Sequence, residues 1–104
     1  MTYCYSTILN AREGTEVAEI IRKASAGTLE SSDVYVEIEP AEHGIEIQLE
    51  SVVKEQFGQA IENVVQEVLL EHRVDRARLH LIDRGALDCV IRARVETAIL
   101  RGEE

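Results

Sequence analysis

Glu30-Ser31-Ser32-Asp33 sets two hydroxyls between two carboxylates, behind Ala26-Gly27-Thr28-Leu29 and just ahead of an alternating apolar run. A serine in such a place has two chemical uses. As a nucleophile it needs a base within hydrogen-bond reach and an oxyanion site. As an attachment point it needs only a reachable hydroxyl on adaptable backbone. Glycine, serine and aspartate are also ordinary turn residues, and on the residues alone a plain polar loop is the favoured account of the segment. A base is hard to find. His43, His72 and His80 are the only histidines, and none stands in a recognisable hydrolase motif. The pattern places them in a loop, near a helix end and on the polar side of a strand, all at the surface. They are too scattered for a metal cluster. No catalytic residue and no metal ligand is assigned.

Arg92, Arg94 and Arg101 are the main basic feature of an acidic chain. Two accounts suit them: a solvated face answering the many glutamates, or a cradle for phosphate, whose geometry guanidinium matches. Cys4 and Cys89 are the only cysteines. A pair so far apart gives neither a disulfide framework nor a zinc site. Cys89 falls on the apolar side of a strand pattern, where a buried thiol is expected.

The elements that must position these groups follow from periodicity. Val17, Ile20, Ile21 and Ala24 recur at helical spacing, which suits a short helix or an extended lead-in. Val34, Val36 and Ile38 alternate with polar residues, as do Ile45, Ile47 and Leu49. Two half-buried strands joined through Pro40-Ala41-Glu42-His43-Gly44 read as a hairpin. From Ser51, a plausible N-cap, the period changes. Val53, Phe57, Ala60, Ile61, Val64, Val65, Val68 and Leu69 make one stripe of a long helix. Ala77, Leu79 and Leu81 form a third strand. Cys89, Ile91, Ala93 and Val95 alternate in a way that favours a fourth, over 89–95, with a helical turn or two after it; Leu87, Val90, Ile91, Val95 and Ala98 would also serve as a helix stripe. The expected fold is α+β: a two-layer sandwich with a four-stranded, largely antiparallel sheet covered by one long helix, plus short terminal helices.

Composition narrows the functions. With 104 residues, 45% hydrophobic, the chain suits one domain with a modest core. The charge of −9, from 20 acids and 11 bases, repels nucleic-acid backbones and anionic lipid. It suits docking on basic sockets of larger partners and suits many ordinary soluble cytosolic proteins equally, so the charge alone does not choose. No transmembrane run and no signal-peptide plan is present, so a cytoplasmic protein is expected.

Three stretches resemble the citrate lyase acyl carrier protein, or gamma subunit, family: AGTLESSD (26–33), VKEQFGQAI (53–61) and DRGALDCVIRARVETAILR (83–101). They occur in the family's order and span about 24 to 101. The resemblance implies a single acyl-carrier domain over 1–104, of which about residues 1–18 form an N-terminal extension. It implies that Ser31, the first serine of the pair, carries a phosphoribosyl dephospho-coenzyme A arm through a phosphodiester bond. Ser32 fills a small-residue position. The chain would then be a non-catalytic subunit, shuttling acetyl and citryl thioesters between the transferase (alpha) and lyase (beta) subunits of citrate lyase as citrate is cleaved to oxaloacetate and acetate. A dedicated prosthetic-group transferase would load the arm. The alternatives are a malonate decarboxylase-type acyl carrier, a small non-enzymatic interaction or regulatory domain, and last a stand-alone serine hydrolase.

Overall fold

The computed structural model describes residues 19–104; residues 1–18, expected as an N-terminal extension and holding Cys4 and Val17, lie outside the described residues. Six elements follow in order: β1 (Ala24–Gly27), β2 (Val34–Glu39), β3 (Ile45–Ser51), α1 (Lys54–Glu71), β4 (Ala77–Asp83) and α2 (Asp88–Glu103). They form one four-stranded sheet in the order β1-β2-β4-β3. Both helices pack on one side of it. The expected α+β two-layer architecture is what the chain adopts.

Alternation builds the sheet. Val34, Val36 and Ile38 of β2, and Ala77, Leu79 and Leu81 of β4, are fully shielded from water. Their odd-numbered and even-numbered neighbours point to the open face, as the two-residue repeat of a strand requires. These two strands are the centre, paired antiparallel from Val34–Asp83 to Glu39–Arg78. β1 pairs antiparallel on the outer side of β2. β3 pairs parallel with β4, which is possible because α1 supplies the long crossover that parallel neighbours need.

The hairpin expected between 34–39 and 45–50 does not form. Both strands exist, but β4 sits between them. Alternation fixes which face of a strand is buried and leaves its partner open. β3 is an edge strand with Ile45 39% exposed, whereas β2 has its whole apolar row buried.

The second correction concerns 89–95, which is helical, inside α2. The alternating template stops at Val95. The helical one runs on through Ile91, Val95, Ala98, Ile99 and Gly102, all buried. Alanine and arginine between them are good helix formers. Asp88 in the first turn and Arg101 in the last suit the helix dipole. The fourth strand is instead β1. Residues 19–23 form no helix, and Ala24 opens that strand. Cys89 consequently lies off the buried stripe and is exposed.

The core joins both helices to the sheet: Ile61, Val65, Val68 and Leu69 of α1 meet Ile91, Val95, Ala98 and Ile99 of α2 over the buried sheet residues. Phe57, expected within the stripe, is 53% exposed. At the end of α2 the chain before β1 crosses closely, with the Ile21 N–H donating to the Gly102 carbonyl at 2.9 Å. A side chain at Gly102 would crowd Ile20 and Ile38.

Candidate functional site

The serine pair lies in the loop that joins β1 to β2. Gly27 begins it with φ at +94°. A Cβ there would collide with the Val34 carbonyl oxygen, so only glycine lets the two strands close at this point. The Thr28 hydroxyl donates to Asp33 Oδ2 at 2.6 Å and accepts from the Glu30 N–H at 3.2 Å. The Asp33 N–H closes a four-residue turn onto the Glu30 carbonyl at 3.2 Å. Ser32 takes a left-handed backbone, φ +65°, at the third position of that turn, where a type II turn needs it. Ser31 therefore occupies the outer corner, exposed to solvent.

Both flanks of that corner are fastened. The Ser32 N–H donates to the Arg84 carbonyl at 2.8 Å, and the Arg84 N–H donates to the Asp33 carbonyl at 2.9 Å. These bonds carry the β2–β4 ladder past its last paired residues. Arg94, from α2, reaches Asp33 with both Nε and Nη2, each at 3.0 Å. Such a fork on a carboxylate is a strong, directional pair. The Arg94 guanidinium, then the Thr28 hydroxyl and the Val34 N–H, hold the Asp33 carboxyl down at about 2 against a partial opposing effect of burial. The loop is a fixed ledge with one free hydroxyl at its corner.

The three expected arginines separate. On a strand, Arg92 and Arg94 would share a face; on α2 they diverge. Arg92 bridges the helices, binding Glu67 at 3.0 Å and Glu71 at 2.8 Å, which is the acid-answering role. Arg94 reaches the serine loop and is committed to Asp33. Arg101 donates to the Ser25 carbonyl at 2.8 Å. No cradle of these three assembles. The basic side chain that sequence reasoning missed is Arg84, which lies across the loop with Nη1 3.2 Å from the Leu29 carbonyl. Its signal was present in the Asp83-Arg84-Gly85 turn, but only the register with Asp33 places it here.

The histidines lie elsewhere. His72, half-buried, bonds Glu96 at 3.0 Å, and His80 on the open sheet face bonds Glu50 at 2.8 Å. His43 is exposed in the 40–44 loop, at the opposite end of β2. Among the described residues no group of three or more His, Cys, Asp or Glu side chains is placed to hold a metal ion, and no helix is long and apolar enough to cross a membrane.

The ends of β2, β3 and β4 coincide here, since Asp83 pairs with both Val34 and Ser51. Asp83 is 1% exposed. It accepts from the Ser51 hydroxyl at 2.7 Å and the Ala86 N–H at 2.9 Å, tying the β3–α1 junction to the β4–α2 loop. Ser51, expected as an N-cap, works instead in this junction, accepting from the Val53 N–H at 3.1 Å. Leu29, Val52, Phe57 and Leu87 stand exposed around this end. The apolar groove of about 380 Å³ between β3 and α1, bounded by Ile45, Ile47, Leu69 and Leu70, involves none of the loop residues.

Comparison with known proteins matches most of the chain. Residues 21–102 match the family model for ACP, the malonate decarboxylase delta subunit (MdcD). The chain is 56% identical over 87 residues to a citrate lyase acyl carrier protein of Escherichia fergusonii, covering 83% of this chain and 90% of that relative. It is 50% identical over 86 residues to the citrate lyase acyl carrier protein of Lactococcus lactis, with the same coverage. A chain in the crystal structure of a Pseudomonas malonate decarboxylase hetero-tetramer in complex with malonate shares the fold, with a TM-score of 0.71 over 82% of this chain and 88% of that one at 21% identity. Matched at 50–56% identity along most of its length, the chain belongs to the citrate lyase acyl carrier protein family.

Proposed function

We propose that this chain is the acyl carrier of a citrate lyase complex and that Ser31 is its attachment residue, esterified by a phosphoribosyl dephospho-coenzyme A arm. One observation carries the assignment of the residue. Ser31 is the exposed corner of the loop, and its hydroxyl engages no described residue, while Thr28, Ser32 and Asp33 on either side are all held by hydrogen bonds. A transferase can take that hydroxyl without breaking any bond of the fold. The residues suit an anionic substituent, because Arg84 lies over the loop with donors to spare.

Bound there, the arm supplies a terminal thiol that holds acyl groups as thioesters. The chain's own residues do the mechanical part. Gly27 and the Asp33–Arg94 pair fix the ledge, so the tether starts from a rigid point, and tethering replaces free diffusion by a high effective concentration at each partner active site. Those partners are the transferase and lyase subunits, with a dedicated prosthetic-group transferase acting beforehand, in the cytoplasm. No histidine bonds to Ser31, which supports a carrier in preference to a hydrolase. The likeness to a malonate decarboxylase chain supports a second reading, a carrier for that complex; the 50–56% identity to citrate lyase carriers favours the first.

The test is mass spectrometry of protein co-expressed with the arm-making enzymes. The expected result is a coenzyme A-like addition on the Ser31 peptide, absent from Ser31→Ala, with that variant folded and unable to support citrate cleavage in the full complex. An unmodified Ser31, or a Ser31→Ala carrier that still supports turnover, would overturn the assignment.

A further inference from the structure

We propose that Arg84 binds the phosphodiester through which Ser31 carries its arm, and so sets the direction in which the tether leaves the protein. The inference rests on the assignment of Ser31 as the attachment residue. Three observations lead to it.

The first is position. Arg84 exchanges backbone hydrogen bonds with Ser32 and Asp33 at 2.8 and 2.9 Å, so it lies directly beside the serine pair on the neighbouring strand. Its guanidinium crosses to the Leu29 carbonyl, which brings the side chain over the segment whose corner is Ser31.

The second is availability. Four of the eight described arginines already have carboxylates: Arg76 has Glu19, Arg78 has Glu46, Arg92 has Glu67 and Glu71, and Arg94 has Asp33. Arg84 forms no ion pair with a described residue. Its one side-chain bond goes to a neutral carbonyl and uses one of the five N–H donors a guanidinium has. Arg84 is also exposed, so those donors face solvent.

The third is the charge that the site must accept. A phosphodiester on Ser31 adds a negative charge between Glu30 and Asp33. Arg94 already commits its Nε–Nη2 fork to Asp33, whose charge answers its own. Arg84 can answer the added charge, with a planar fork suited to phosphate oxygens, and nothing is broken except the weak contact to Leu29. Lysine would keep the charge but lose the fork.

The experiment compares loaded wild type, Arg84→Gln and Arg84→Lys, each checked by circular dichroism and by the mass of the Ser31 peptide. ³¹P NMR reads the serine phosphodiester separately from the arm's pyrophosphate. The expected result is that Arg84→Gln moves and narrows the phosphodiester resonance and leaves the pyrophosphate resonances in place, with Arg84→Lys between the two. Identical phosphodiester resonances in all three proteins would overturn the proposal. A second measurement needs no variant: the Arg84 Nε–H resonance must shift between bare and loaded wild type by more than those of Arg92 and Arg101, and a smaller shift also overturns it. Absence of any addition on wild-type Ser31 would defeat the attachment assignment itself, an outcome the mass spectrum separates from the other two.

Discussion

Replacing Asp33 by asparagine isolates what the ion pair beneath the serine loop contributes. The carboxyl is held at about 2 instead of 3.8, and at about 1.4 kcal/mol per pH unit the difference corresponds to roughly 2.5 kcal/mol. Arg94 is 41% exposed, so water screens part of that attraction; about 1–2 kcal/mol is the expected loss at pH 7. The pH dependence has a definite sign. The folded state binds this proton more weakly than the unfolded chain does, so the contribution is complete above about pH 5 and is lost as pH falls towards 2. By pH 3 about half of it is gone. Urea unfolding of wild type and Asp33→Asn at several pH values from 7 to 3 measures this directly, because the other carboxylates cancel in the difference. The stability gap should narrow by about half. A gap that stays constant across that range would show that the loss is not ionic, and no gap at pH 7 would refute the pairing.

Two more substitutions test the frame around the loop. Gly27→Ala should destabilise the protein by about 2–5 kcal/mol, combining a left-handed backbone with a collision at the Val34 carbonyl; thermal unfolding checks it, and a neutral result would mean the loop between β1 and β2 closes differently. Asp83→Ala should cost about 2–4 kcal/mol, since it leaves the Ser51 hydroxyl and the Ala86 N–H without their acceptor, with faster amide exchange at Ala86 as its signature.

How far the sequence could be read depended on the range of the interaction involved. Val34, Val36 and Ile38 announced a half-buried strand because alternation is a local property. That β4 pairs with that strand, and not β3, depends on which apolar rows fill the centre of the sheet, a comparison between distant segments. The 89–95 segment fitted both periods over its own length; only its continuation to Ile99 and Gly102 separates them. That error also misplaced the arginines. Read as a strand, Arg92 and Arg94 share a face, whereas on the helix one meets Glu67 and Glu71 and the other meets Asp33. Ser31, as the proposed attachment residue, was legible as a candidate through its flanking residues and the family resemblance. Arg84 was not, because nothing near it in the chain points to Asp33.

The crossing of the chain before β1 over Gly102 has a practical consequence. It draws Arg22 and Glu104 together, the guanidinium bonding the Glu104 carbonyl at 2.7 Å, beside the Ile38 end of the sheet. The serine corner is at the other end of β2, beyond Val34. A carrier anchored to a sensor chip at Glu104 would therefore stand with Ser31 facing the flow. Loading enzymes and partner subunits could then be passed over one oriented layer, and their encounters with the bare and the armed serine timed on the same surface.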